Sequence, residues 1–247
     1  MTESLHVSIK VFADGADLDA IAKLSESPLV KGFTTNPTLM RKAGVADYRT
    51  FANDVLGVVP DKPVSFEVFA DDHEGMREQA LEIGRWGPNV NVKIPVMNTK
   101  GVSSEPLIRD LGKKGIKLNV TAVFTVEQVK AVAAALDPEV EAIVSVFAGR
   151  IADTGRDPIP IMRAAKAALR GRPKAELLWA SPRELLNVFH AQEAGADIIT
   201  MTPDMLAKLK SVGKDLVEFS RETVEMFYRD AQAAAYTIAL PQRAAVA

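Results

Sequence analysis

Cysteine is absent from the 247 residues, which excludes disulfides, thiolate nucleophiles and Cys-ligated metals. Histidine is scarce. Only His6, His73 and His190 occur, and none stands at ligand spacing with another histidine or with a pair of carboxylates; no metal is expected. His73, in Asp71-Asp72-His73-Glu74, reads as the solvated start of a helix, and His190 after Phe189 as a packed surface residue. Neither charge dominates: 30 Lys and Arg stand against 32 Asp and Glu, so electrostatics give no case for nucleic acid. No apolar run approaches the roughly 18 residues of a spanning helix, and no membrane contact is expected. The opening Met1–Lys10 places Glu3 early and passes at once into a strand-like run, unlike a secretory leader; the expectation is a cytoplasmic protein.

What is present is a long alternation. Short β-rich runs at Val7–Asp14, Gly32–Asn36, Val64–Ala70, Val90–Val96, Ile116–Val123, Ala142–Ala148, Glu176–Ser181 and Ala196–Thr202 are separated by amphipathic stretches such as Val126–Leu136 and Pro182–Ala194. Strands alternating with helices imply parallel pairing with right-handed crossovers. Eight strands favour closure into a (β/α)8 TIM barrel, one domain over residues 1–247. An open doubly wound sheet is the other arrangement, but its glycine-rich first turn is missing: the chain reads Asp14-Gly15-Ala16-Asp17 there. Pro203–Val212 supplies the last barrel helix. An additional C-terminal helix over 214–236 carries Leu216, Phe219, Val224, Phe227 and Tyr228 near helical spacing. That stripe must bury on its own barrel or on a second copy in a homo-oligomer. The tail from Pro241 is expected to fray.

The strand faces carry the functional signal. Residues two apart share a face, so Asn91 and Lys93 oppose Val92 and Ile94, and Ser65 and Glu67 oppose Phe66 and Val68. Asn119 and Thr121 oppose Leu118 and Val120; Ser145 and Phe147 oppose Val144 and Val146. Thr34 and Asn36 are in phase, and Asp14 closes the first strand. With the apolar faces on the helices, the polar faces point into the barrel near the C-terminal strand ends, where barrel enzymes hold their chemistry. Lys93 is the outlier, because burial disfavours an ammonium unless it is paired. One reading is a structural ion pair with Glu67. The other uses the same burial: a desolvated amine holds more of its neutral form and adds to carbonyls. Glu67 and Asp14 then have protons to move, and Thr121 a water to hold. Arg150, Ser181 and Arg183 are anion-binding candidates near strands six and seven. Ser181-Pro182-Arg183-Glu184 also fits a helix start, with Ser181 as N-cap.

From about Val11 to Thr202 these residues resemble the transaldolase family, including its fructose-6-phosphate aldolase branch. The matching pieces are Ala13-Asp14-Gly15, Thr34-Thr35-Asn36-Pro37, Val64-Ser65-Phe66-Glu67-Val68, Val92-Lys93-Ile94-Pro95, Asn119-Val120-Thr121, Ser145 to Ile151 and Ala180-Ser181-Pro182-Arg183. The resemblance implies a Schiff base between Lys93 and the C2 carbonyl of a ketose. It implies that Asp14 takes the C4 hydroxyl proton, and that Glu67 and Thr121 activate a water. Asn36, Asn119 and Ser145 would hold the dihydroxyacetone unit, with Phe147 beside them. Arg150, Arg183 and Ser181 would hold the sugar phosphate. No cofactor is implied. Glu67 and Phe147 resemble the transferring branch, because the aldolase branch resembles this pattern with Gln and Tyr at those places. The length is closer to the compact subfamily, and Val146 stands where the long transaldolases commonly have proline. The implied activity is transfer of a dihydroxyacetone unit between sugar phosphates, as in the non-oxidative pentose phosphate pathway. Simple cleavage of fructose 6-phosphate and a catalytically idle sugar-phosphate binder are the alternatives.

Overall fold

A computed structural model describes residues 8–239. Its eight strands are β1 (Lys10–Asp14), β2 (Val30–Thr34), β3 (Val64–Glu67), β4 (Val90–Pro95), β5 (Leu118–Val123), β6 (Ala142–Val146), β7 (Ala175–Trp179) and β8 (Ile198–Met201). All pair in parallel and in chain order, and β8 returns to β1 to close the barrel. Between them lie α1 (Leu18–Ser25), α2 (Pro37–Lys42), α3 (Tyr48–Val58), α4 (His73–Ile83), α5 (Glu105–Lys113), α6 (Val126–Ala135), α7 (Ala148–Ala152), α8 (Ile159–Ala168) and α9 (Asn187–Glu193). α10 (Pro203–Ala207) runs into a 3₁₀ turn at Lys208–Ser211. The (β/α)8 barrel read from the alternation is therefore the observed fold.

Local chemistry starts these helices where the chain leaves the sheet. Asp17, Asn36, Asp47 and Asp72 each accept the backbone N–H of the third residue onward, and Thr125 with Gln128 forms a complete capping box. Val92 and Ile94 are fully buried on the face toward the helices, each contributing about 1.5–3 kcal/mol. That anchorage holds the strand carrying Lys93. Inside the barrel, Phe12, Ile143, Leu178 and Ile198 form a separate apolar cluster beneath the polar residues. Gly32 makes room for it, since a Cβ there would lie 2.5 Å from the Phe12 ring. Asn91 shares a face with Lys93 but opens on the N-terminal mouth, beside Lys10 and Glu176.

Two expectations change. The helix after β7 begins at Asn187, not Pro182. Ser181 has φ 61° rather than the extended backbone of an N-cap, and Asn187 Oδ1 takes the N–H groups of Arg183 and Glu184 instead. The run Val64–Ala70 ends as a strand at Glu67, because Gln79 Oε1 on α4 captures the N–H groups of Phe69 and Ala70. At the end of α9, Gly195 (φ 76°) supplies the left-handed residue that closes the helix. Val7 and the tail from Pro241 lie outside the described residues.

The barrel belongs to one compact unit, Met1–Leu209; a second, Lys210–Ala247, holds α11 (Leu216–Ala233). Asp215 caps α11, and Arg221 joins Glu218 and Glu225 along one side. None of the residues of α11 is buried. Among the described residues no helix is long and apolar enough to cross a membrane.

Candidate active site

Register brings the polar residues together. Glu67 pairs with Lys93, and Lys93 with Asn119, across β3, β4 and β5. Lys93 is only 7% exposed. Its Nζ lies 3.0 Å from Glu67 Oε2 and donates to the Thr35 carbonyl at 2.9 Å. The ion pair weighed as a structural reading is thus present, and it sits at the C-terminal mouth rather than in the core. Ser145 Oγ donates to Asn119 Oδ1 at 2.7 Å, and Asn119 Nδ2 donates to Ser65 Oγ at 3.0 Å. This chain fixes the amide of Asn119 in one orientation. Thr121 Oγ1 is buried with no hydrogen-bond partner among the described residues.

On the opposite wall, Thr34 Oγ1 donates to Asp14 Oδ1 at 2.8 Å and lies 2.6 Å from Thr200 Oγ1. Burial pushes the Asp14 carboxyl above the usual carboxylate range, although the Lys93 charge and the Thr34 hydrogen bond pull the other way. A carboxyl raised in this manner favours the folded state below its unfolded value, and that contribution is lost as pH rises through the folded value. Asp14→Asn keeps an acceptor for Thr34 without a charge. It is expected to stabilise the fold at pH 7, with the gap closing as the pH falls. Thermal melts of both proteins from pH 7 downwards decide it; a less stable variant at pH 7 would contradict the desolvation argument.

The eleven residues singled out in the sequence all line one cavity of about 570 Å³: Lys93, Asp14, Glu67 and Thr121, with Asn36, Asn119, Ser145, Phe147, Arg150, Ser181 and Arg183. Asn36 is there although its Oδ1 is engaged as the N-cap of α2. Arg150, exposed on α7, lies over the Phe147 ring at 5.3 Å. Arg183 makes a two-pronged pair with Asp153, at 2.9 Å from Nε to Oδ1 and 2.5 Å from Nη2 to Oδ2, and its Nη1 donates to Ser181 Oγ at 3.2 Å. Asp153 holds this guanidinium towards the serine and is itself held below the usual carboxylate range by it.

Sequence reasoning missed Thr200, Ala122, Lys42 and the partner Asp153. Thr200 was visible in principle, two residues from inward Ile198 on β8. Ala122 was not. It has φ 57°, at an irregularity in register between β5 and β6, and with Ser181 it accounts for two of the three non-glycine positive-φ residues described. Backbone strain of this kind collects at functional sites. Among the described residues no cluster of three His, Cys, Asp or Glu side chains could hold a metal ion.

Fold and site together define a TIM barrel with a paired lysine at its C-terminal mouth. Residues 11–238 match the model of the transaldolase/fructose-6-phosphate aldolase family. The chain belongs to that family. It is 34% identical over 202 residues to a probable transaldolase from Dehalococcoides mccartyi, covering 81% of this chain and 90% of that one. It is 37% identical over 208 residues to probable transaldolase 2 from Listeria monocytogenes, covering 82% and 89%. A probable transaldolase from Carboxydothermus hydrogenoformans is 33% identical over 226 residues, covering 91% and 99%. Among solved structures, dihydrodipicolinate synthase from Rhodopseudomonas palustris matches with a TM-score of 0.54 at 14% identity, over 91% of this chain and 80% of that one. At that identity the likeness concerns the barrel fold alone.

Proposed function

We propose that this protein is a transaldolase that moves a dihydroxyacetone unit between sugar phosphates through a Schiff base on Lys93. The donor is sedoheptulose 7-phosphate or fructose 6-phosphate; the acceptor is glyceraldehyde 3-phosphate or erythrose 4-phosphate. The observation that carries the reading is a lysine amine, almost fully buried, 3.0 Å from a carboxylate at the C-terminal mouth of a barrel. The names of the relatives support the same reading.

The ammonium proton of Lys93 passes to Glu67, and the free amine adds to the C2 carbonyl of the ketose. Glu67 returns a proton to the carbinolamine hydroxyl, which leaves as water past Thr121 and gives the protonated Schiff base. Asp14, whose carboxyl burial raises above the usual carboxylate range, takes the C4 hydroxyl proton. The C3–C4 bond breaks, its electron pair moves into the iminium to form an enamine, and the shortened aldose phosphate departs. The enamine then attacks the aldehyde carbon of the acceptor, Asp14 returns its proton to the new hydroxyl, and water releases the product from Lys93. Asn36, Asn119 and Ser145 hold the hydroxyls of the three-carbon unit. Arg150, Arg183 and Ser181 hold the phosphate, with charge-assisted hydrogen bonds from the guanidiniums.

Glu67 and Phe147 favour transfer over simple cleavage. Consumption of fructose 6-phosphate is expected to rise at least about tenfold when erythrose 4-phosphate is supplied, since the enamine otherwise waits for an acceptor. Equal consumption with and without acceptor would support the simple aldolase. No consumption in either case would leave a sugar-phosphate binder.

A further inference from the structure

The ladder between β2 and β3 stops one rung early. Phe33 N–H donates to the Pro63 carbonyl at 2.8 Å, and Thr35 N–H to the Ser65 carbonyl at 3.3 Å. Parallel pairing alternates, so the next rung joins Glu67 N–H to the Thr35 carbonyl. Both groups are engaged elsewhere. The Thr35 carbonyl accepts from Lys93 Nζ at 2.9 Å. Glu67 N–H donates to the Tyr48 hydroxyl at 2.7 Å, and that hydroxyl donates in turn to the Glu67 carbonyl at 3.0 Å. Tyr48 opens α3 outside the barrel wall, its ring edge-on to Phe66 and Trp86 with centroids 6.2 and 5.3 Å away. Burial raises its phenol well above the ordinary value, so the hydroxyl keeps a proton to donate.

We propose that Tyr48 is a positioning residue for the pair Lys93 and Glu67. Its hydroxyl replaces the missing rung at Glu67, which leaves the Thr35 carbonyl free to hold the lysine amine. One side chain outside the barrel thereby sets the position of both reacting groups inside it. This inference rests on the proposed role of Lys93, so its test includes a readout that needs no Schiff base.

Tyr48→Phe removes only the hydroxyl. Trp86→Phe disturbs the same aromatic cluster and leaves the hydroxyl in place. Tyr48→Phe is expected to lower kcat with fructose 6-phosphate and erythrose 4-phosphate about tenfold with KM within about twofold, as for a misplaced reacting group. Trp86→Phe is expected to keep kcat within about twofold. Independently, brief acetic anhydride labelling, read by peptide mass, compares Lys93 with surface Lys130 in the same protein. In Tyr48→Phe, Glu67 N–H recovers the Thr35 carbonyl and Lys93 Nζ loses that partner, so the amine is held less firmly and its relative labelling rises about threefold. Trp86→Phe leaves the ratio unchanged. Unchanged Lys93 labelling in Tyr48→Phe overturns the proposal whatever happens to turnover, and so does an equal change in Trp86→Phe. A changed ratio in a protein that turns over no ketose would keep the positioning role and reject the transaldolase reading.

Discussion

Lys93→Ala is expected to abolish turnover of ketose phosphate and to leave a folded barrel. Removing the nucleophile of a covalent mechanism is expected to cost at least about 10⁴-fold in rate, because no neighbouring group takes over the bond-forming step. Stability falls too, for a different reason. Lys93 neutralises Glu67, whose side chain is 17% exposed, and breaking a buried pair from one side costs about 3 kcal/mol. That is within the roughly 5–15 kcal/mol stability of a folded domain, and the surrounding β4 contacts of Val92 and Ile94 are untouched. Lys93→Met keeps the stem and is expected to lose activity equally while filling the space. A coupled assay with fructose 6-phosphate and erythrose 4-phosphate, beside thermal melts of both variants, separates the two effects. Residual turnover above about one part in 10³ would show that another group carries the chemistry.

Gly149→Ala is expected to have the largest effect on folding. The Gly149 Cα faces the backbone of the β7 loop, and a Cβ there would lie 1.6 Å from the Ser181 carbonyl oxygen and 2.6 Å from its carbon. Both are main-chain atoms, which cannot swing aside as a side-chain tip can. Gly149 N–H also donates to the Ala180 carbonyl at 3.3 Å, and Ala180 N–H to the Val146 carbonyl at 2.8 Å, so the two loops are locked at that crossing. One methyl group there must push β7 away from β6 or break these bonds. The expected cost is about 3 kcal/mol or more, at the upper end of overpacking. The same shift would move Ser181 away from Arg150, so any folded variant is expected to bind sugar phosphate more weakly. A variant with the melting temperature and KM of the parent would contradict this account. Here glycine serves close approach, with no left-handed backbone involved.

The barrel was legible because its strands alternate sharply. Val92, Ile94, Phe66 and Val120 face the helices, and Lys93, Glu67 and Asn119 face inward; a slip of one residue would reverse both sets. The polar layer was legible for the same reason, and register adds that Glu67, Lys93 and Asn119 share a row. Much of what escaped lay at irregular backbone or in contacts between distant residues. Ser181 resembled a helix cap, because Ser-Pro-Arg-Glu fits the capping pattern, yet Asn187 makes the competing hydrogen bonds from six residues on. Ala122 sits on a left-handed backbone that no local residue preference announces. Asp153 and Tyr48 act across gaps of 30 and 19 residues. Contacts at such separation depend on the closed fold and leave no periodic trace along the chain.

The most direct test of Lys93 as the nucleophile is reductive trapping. The protein is incubated with fructose 6-phosphate, reduced with borohydride, digested and mapped by peptide mass. The mechanism predicts one adduct, a reduced dihydroxyacetone or hexose phosphate unit on Lys93, and its absence from Lys93→Met. An adduct on a different lysine, or none with any ketose phosphate while turnover continues, would contradict it.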